Sequence, residues 1–172
     1  AVRDGQINET VAAMDAFAIH AGARMLTDYG DLPNSYGLPW HRNVPSMVWF
    51  GTGWRVDDGV TRGVWSETTG SVNVTGNGGQ GWVTAWFDWN QDGDFADIGE
   101  QAFANEVVNQ GQTKMVSFPA GSSVYGKTIN ARFRVYPFAQ TAQELTAHGF
   151  SPAALPQPSG DAYGGEVEDY PW

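Results

Sequence analysis

One stretch of the chain carries side chains whose types and spacing could bind a metal ion. Oxygen-bearing residues fall at alternate positions after residue 87, and Gly93 allows a turn among them. The candidate ligands are Asp88, Asn90, Asp92, Asp94 and Glu100. Because Ca²⁺ takes six to eight oxygens at about 2.3–2.6 Å, and alternate positions of a tight loop can converge on one point, the pattern predicts a calcium-binding loop.

This loop differs from helix–loop–helix calcium sites in two respects. The closing glutamate of that pattern belongs at Gly99, and Glu100 comes one residue late. The preceding residues 81–87 are aromatic and β-branched, which is typical of a buried strand and not of an entering helix. The alternative interpretation is a solvated turn rich in Asp, Asn and Gly. We favour calcium because clustered carboxylates repel one another without a cation.

A second set of acidic residues could also bind calcium, either by closing the loop at Asp88 or at a separate site. Its members are Asp57, Asp58, Glu166, Glu168 and Asp169. On a strand, Glu166 and Glu168 share one face, and their like charges require a cation or an arginine nearby. Arg132 or Arg134 could serve as well as calcium, so both interpretations remain open.

The composition predicts an all-β protein. The 172 residues include 22 Gly, 8 Trp, 6 Tyr and 9 Phe, whereas charged residues make up only 16%, which is typical of short strands joined by tight turns. Strand candidates occupy residues 46–51, 59–66, 71–75, 81–88, 113–118, 128–136 and 166–170. Their number and spacing predict an antiparallel, jelly-roll-like β-sandwich. Within 128–136 the odd-numbered residues should face the core and the even-numbered ones outward.

Two segments interrupt this strand pattern. Residues 1–27 show both a helical and a strand-like periodicity, so we treat them as an N-terminal arm that precedes a domain at 28–172. The arm packs either on its own domain or on a neighbouring copy. Residues 137–160 form an insertion in which Thr141, Glu144 and Gly149 predict a short helix with a capping box and a glycine stop.

Charge and motifs exclude several classes of function. Nine basic and nineteen acidic residues give a net charge of −10, which argues against nucleic acid as a partner. The chain has no cysteine, so in an exported protein a bound metal ion would stabilise the fold in place of disulfides. We find no apolar run of the roughly 20 residues that a membrane span needs. The scattered histidines and the lack of a nucleophile-elbow or phosphate-loop motif predict no catalysis.

Four separated motifs share their order with a known family. They are 28–33 with 35–36, then 57–60, then 85–95 closing at 99–101 with 131–134 after it, and finally Gly-Gly-Glu-Val-Glu-Asp-Tyr at 164–170. Together they resemble the bacterial GEVED domain over about residues 28–170. The resemblance implies a β-sandwich module of secreted and cell-surface proteins, often adhesin-like, without known catalysis. The acidic run expected before Asp57 is shortened here to residues 54–56.

These observations lead to two hypotheses about function. The first is a secreted, calcium-stabilised, non-catalytic structural or adhesive subunit at the cell surface, which self-assembles into a homo-oligomeric filament or layer through its N-terminal arm. The second is a carbohydrate-binding module that contacts a cell-surface glycan, since aromatic residues in loops can form a binding platform. The tryptophans that could form it are Trp40, Trp49, Trp54, Trp65 and Trp172.

Overall fold

The computed structural model describes residues 27–42, 48–53, 58–120, 126–137 and 156–172. Within these ranges the chain is built of β-strands and one 3₁₀ helix, Asn34–Tyr36. The strands are β1 (Thr27–Tyr29), β2 (Pro39–Arg42), β3 (Trp49–Phe50), β4 (Val60–Arg62), β5 (Thr69–Asn77), β6 (Gly81–Phe87), β7 (Gln101–Val108), β8 (Gln112–Pro119), β9 (Asn130–Pro137), β10 (Gly160–Tyr163) and β11 (Glu166–Pro171). The prediction of an all-β antiparallel sandwich is confirmed.

Two antiparallel sheets form the sandwich. One has the strand order β11-β9-β6-β7. In the other, β5 pairs with β8 along one edge and with β3 and β4 along its opposite edge. Valines and aromatic residues from both sheets make the core between them, and Phe50, Val72, Phe87 and Phe133 are fully buried there. Burial of such side chains contributes about 1.5–3 kcal/mol each, which makes this the main source of stability.

A third, small sheet covers the outer face of the first one. It has the order β1-β2-β10, with β10 parallel to β2. The predicted alternation of β9 is confirmed, because Ala131, Phe133 and Val135 face the sandwich core. The expectation that Arg132 and Arg134 face outward needs correction, since both are fully buried beneath this third sheet. Their guanidinium groups hold the covering segments in place through backbone carbonyls.

Four strands lie outside the predicted set, namely β1, β2, β7 and β10. The sequence of β7 mixes alanine with polar residues, and its side chains are mostly exposed or half-buried, so it has no clear hydrophobic period. The strands β1, β2 and β10 are only three or four residues long. The predicted helix around 141–149 and almost all of the N-terminal arm lie outside the described residues. Thr27, which we assigned to the arm, begins β1.

Candidate metal centre

The acidic loop connects two neighbouring strands of one sheet. It leaves β6 at Phe87 and enters β7 at Gln101, and these strands pair in antiparallel fashion. Both ends of the loop are fixed by backbone hydrogen bonds, from the Phe87 N–H to the Glu100 carbonyl (2.9 Å) and from the Asp88 N–H to the Asn130 carbonyl (3.0 Å). The predicted strand before the loop is confirmed, and the loop is therefore held by a sheet and not by helices.

Three carboxylates of the loop converge. One carboxylate oxygen each of Asp88, Asp92 and Glu100 lies within 4.8 Å of the other two. Asp88 and Glu100 are buried, whereas Asp92 is exposed. Three oxygens at this spacing can contact a common cation, and their charges repel one another when no cation is bound.

Glu100 reaches the cluster although it stands one residue later than in helix–loop–helix sites. A turn from Asp97 to Glu100, closed by the Glu100 N–H donating to the Asp97 carbonyl (3.2 Å), takes up the extra residue. Gly99 adopts φ +94° in this turn, a conformation that favours glycine. Because Glu100 directly precedes β7, the sheet fixes its position.

The two oxygens of the Glu100 carboxylate have different environments. Oε2 accepts the Asp97 N–H at 3.0 Å. Oε1 is buried and has no hydrogen-bond partner among the residues that the structure describes. Burial is the main reason that the pKa of Glu100 rises to about 7, and the charges of Asp88, Asp92 and Asp97 raise it further. A buried carboxylate oxygen without a partner costs free energy, and a bound cation would remove that cost.

Asp88 is the most thoroughly fixed of the three carboxylates. Its Oδ2 accepts the Tyr36 hydroxyl at 2.6 Å and the Gly93 N–H at 3.1 Å, and its Oδ1 accepts the Asp92 N–H at 3.2 Å. Tyr36 is itself held by the Asn130 amide (2.6 Å). Burial and the hydrogen bond to Asp88 raise the pKa of Tyr36 to about 12, so the hydroxyl remains a proton donor at neutral pH. Only the short motif 35–36 drew attention to this tyrosine in the sequence.

The other predicted loop ligands take different positions. The Asn90 amide group donates to Asp92 Oδ2 (3.0 Å) and to the Asp97 carboxylate, while its oxygen accepts the Asp92 N–H (3.0 Å). Asp94 Oδ1 accepts the Ala96 N–H at 2.8 Å and does not belong to the converging group. Asp97 was not predicted as a functional residue, yet its side chain and backbone help to shape the loop.

The acidic residues of the terminal motif lie in β11, apart from the loop. Glu166 and Glu168 share one face of the strand, as predicted, and that face is the one toward the sandwich core, where both are fully buried. Glu166 Oε2 accepts the Phe50 N–H at 2.7 Å, and Glu168 Oε1 accepts the Gly59 N–H at 3.2 Å. The two glutamates thus join the edge of one sheet to the backbone at the edge of the other.

The other described members of this acidic set contact an arginine or a backbone N–H group of the protein. Asp169 forms two hydrogen bonds with Arg132. The arginine alternative to calcium concerns Glu166 and Glu168, which lie on the opposite face of β11 from Asp169. Asp58 Oδ1 accepts the Thr52 N–H at 2.9 Å. Asp57 lies outside the described residues. These contacts favour arginine and backbone partners for the set, and a second calcium site remains an untested prediction.

Two of the five loop tryptophans come together. The rings of Trp65 and Trp172 have centroids 5.9 Å apart, and both pack against the core. Trp40 and Trp49 belong to β2 and β3, and Trp40 packs edge-on against Tyr29. Trp54 lies outside the described residues. Of the five tryptophans proposed for a sugar-binding platform, Trp65 and Trp172 are therefore the two that lie together in the described part of the chain.

A family model matches the second half of the chain. The family model of the GEVED domain matches residues 82–171, which are 90 of the 172 residues and include both the acidic loop and the terminal motif. No curated protein and no solved structure matches the chain. In the part of the chain that the structure describes, no helix is long and apolar enough to cross a membrane.

Proposed function

The chain belongs to the GEVED domain family, and from that premise we propose that it is a non-catalytic extracellular module whose acidic loop binds calcium and thereby stabilises the β-sandwich. The family membership supports an extracellular setting, where millimolar calcium sites can be filled. In the proposed role the ion is a structural ligand that completes the loop between β6 and β7.

One observation carries the calcium proposal. Oxygens of Asp88, Asp92 and Glu100 converge within 4.8 Å, and Glu100 Oε1 is buried with no hydrogen-bond partner in the described parts of the chain. The donors are all hard oxygens, as calcium and magnesium prefer, and no histidine or cysteine takes part in the group. The residues present therefore fit a divalent cation of this class. Waters and loop carbonyls would supply the remaining ligands of Ca²⁺.

Thermal unfolding of the intact chain tests this proposal. The protein is first freed of metal with EGTA and then melted with EGTA, with excess Mg²⁺ and with excess Ca²⁺. Calcium at about 100 times its dissociation constant stabilises a folded protein by about 2.7 kcal/mol, which corresponds to a rise in Tm of roughly 5–10 °C for a chain of this size. Equal melting temperatures in all three conditions, together with no bound ion in native mass spectrometry, would overturn it.

We also propose that the module is a structural or adhesive subunit at the cell surface and that it self-assembles through residues 1–27. The family membership supports this role. So does the sequence of residues 1–27, which differs from the strand pattern of the domain and has a periodicity that fits a helix or strand added to a neighbouring copy. Deleting residues 1–26 leaves β1 intact and should abolish assemblies seen by electron microscopy. Unchanged filaments or layers after that deletion would rule out the arm as the connecting element.

A further inference from the structure

A cavity of about 430 Å³ opens where β4 and β11 end and β9 begins. Its wall includes Arg62, Trp65, Lys127, Ile129 and Trp172. Pockets that bind small molecules typically have volumes of about 300–1,000 Å³ and combine apolar walls with a few polar groups, and this cavity has both properties. It is separate from the acidic loop, which contributes none of its lining residues.

The aromatic part of the wall is rigid. Trp65 contacts the rings of Phe87 and Phe118 in the core, with centroid distances of 5.7 and 5.6 Å. Its indole N–H donates to the Ser71 carbonyl at 3.0 Å, which fixes the ring orientation. Trp172 is 7% exposed and its backbone pairs with Ile129. A ligand would therefore find two indole rings already in position, at little cost in conformational entropy.

Two of the nine basic residues of this acidic chain line the cavity. The Arg62 guanidinium lies over both indoles, 5.2 Å from the Trp65 ring centroid and 5.5 Å from that of Trp172. Among the described residues, no carboxylate forms an ion pair with Arg62 or Lys127. A guanidinium stacked on aromatic rings keeps its in-plane N–H groups available, and these match the two oxygens of a carboxylate.

From this arrangement we propose that the cavity binds an acidic sugar residue, with the sugar carboxylate held by Arg62 and Lys127 and an apolar face of the ring against those parts of the Trp65 and Trp172 indoles that line the cavity beside Arg62. The chemical class follows from the wall, since tryptophans suit the C–H face of a pyranose, and two neighbouring cations without a carboxylate partner among the described residues favour an anion. The volume limits the contact to one or two sugar rings. The site adds a glycan-binding activity to the structural role proposed above.

The cavity and the acidic loop share a border. The Gln91 side-chain amide donates to the Thr128 carbonyl at 2.7 Å, and Trp89 of the loop contacts Trp65 with ring centroids 6.2 Å apart. Binding of the sugar is nevertheless a separate property, because none of its proposed contacts comes from the loop carboxylates. Titrations with EGTA and with excess calcium therefore distinguish a failure of the sugar site from a failure of the calcium site.

Isothermal titration calorimetry with trigalacturonic acid tests the proposal. Its fully methyl-esterified form has the same rings without the charge, and maltotriose is a neutral sugar of the same length. We expect trigalacturonic acid to bind and both neutral sugars to bind at least about tenfold more weakly, because charge-assisted hydrogen bonds are lost. Equal binding of the acid and its methyl ester, or no binding of the acid with calcium present and absent, would overturn the proposal.

Exposed positions provide variants that should fold. Arg62→Gln should weaken binding by about tenfold or more, and Lys127→Gln by a smaller factor, since lysine contributes a point charge without the planar fork. Lys114→Gln is the control, because it also removes one positive charge from the protein. Lys114 lies in β8, outside the cavity, and forms a half-exposed ion pair with Glu106. If Lys114→Gln weakened the binding of trigalacturonic acid as much as Arg62→Gln does, the effect would come from net charge alone, and the proposed site would be contradicted. Binding of a peptide with a free C-terminal carboxylate in place of the sugar would contradict the assigned ligand class.

Discussion

Arg132 and Asp169 form a bidentate ion pair between the adjacent strands β9 and β11, with N–O distances of 2.8 and 2.9 Å. Both side chains are almost completely buried. The pair also reaches outward from the sheet, since Arg132 Nη1 donates to the Tyr36 and Pro158 carbonyls and Asp169 Oδ2 accepts the Leu32 N–H. It thus fastens the covering segments to the sandwich.

Breaking this pair should strongly destabilise the protein. In Asp169→Asn the Arg132 guanidinium remains buried without its counter-ion, which typically costs about 3–5 kcal/mol. The free energy of unfolding in urea measures the effect. The matched control is Glu106→Gln, which breaks the half-exposed pair with Lys114 and should cost less than about 1 kcal/mol. Similar losses in the two variants would contradict the importance of burial.

The terminal motif divides its charges between two faces of β11. Glu166 and Glu168 lie opposite Val135 and Phe133 on the core side, whereas Asp169 lies opposite Arg132 on the outer side. The glutamates accept the N–H groups of Phe50 in β3 and of Gly59 next to β4, and the aspartate accepts the Leu32 N–H in the segment that joins β1 to β2 of the third sheet. One short stretch of sequence therefore connects all three sheets.

The second glycine of the same motif should tolerate no side chain. Gly165 has φ +90°, and a Cβ there would stand 1.9 Å from the Val135 carbonyl oxygen. We expect Gly165→Ala to lose more than about 3 kcal/mol or to fail to fold, because backbone must move as well as adopt a strained conformation.

Gly111→Ala is the control for this prediction. Gly111 also has a positive φ, +69°, but nothing lies within 4 Å of the added Cβ. Its cost should be the conformational one alone, about 1–2 kcal/mol. Urea unfolding of both variants measures the loss in free energy of unfolding. Equal losses would show that the backbone near Gly165 moves away from the added Cβ at no cost in stability.

Replacing the buried glutamate of the acidic loop should have effects of opposite sign with and without calcium. In EGTA, Glu100→Gln removes a buried negative charge near Asp88 and Asp92, so we expect Tm to rise by about 2–4 °C, the equivalent of roughly 1 kcal/mol. In excess calcium the same variant lacks a charged ligand and should melt below the wild type. Asp94→Asn, outside the converging group, should leave the calcium-dependent shift largely unchanged. A Glu100→Gln variant that responds to calcium as the wild type does would contradict the assignment.

Much of this architecture follows from local sequence. The strand before Asp88 and the period of two in β9 are visible because their apolar residues repeat regularly and face one continuous core. Glu100 could be recognised as a candidate ligand because it lies one residue after the closing position of the calcium-loop pattern, but its route into the cluster depends on the turn at Gly99.

The covering sheet could not be predicted in the same way. Strands β1 and β2 are too short to show a period, and β10, which pairs with β2, comes about 120 residues later in the chain. The buried state of Arg132 and Arg134 depends on carbonyl groups of these remote segments, such as those of Tyr36, Trp40 and Gly160. Alternation identifies the two faces of a strand, but it does not reveal what covers each face.

His41 is fully buried beneath the covering sheet, and its protonation should make the free energy of unfolding depend on pH. Arg134 Nε donates to His41 Nε2 at 2.8 Å, so Nδ1 carries the proton that is donated to the Gly164 carbonyl at 2.6 Å. This geometry requires a neutral ring. Burial, followed by the charge of Arg134, holds the pKa of His41 well below its ordinary value of 6.5.

The contribution of His41 to stability should therefore fall as the pH decreases below 6.5. In that range the unfolded state binds a proton at His41 that the folded state excludes, and this contribution decreases by up to about 1.4 kcal/mol per pH unit. Glu100 contributes with the opposite sign in the same range, because its pKa is raised to about 7 and its protonation favours the folded state. In His41→Gln the side-chain oxygen can still accept from Arg134 while the amide N–H donates to Gly164, so between pH 6.5 and 5 this variant should lose less stability on acidification than the wild type does. Urea unfolding at several pH values measures the difference. Identical slopes for the two proteins would show that His41 already binds its proton in the folded state.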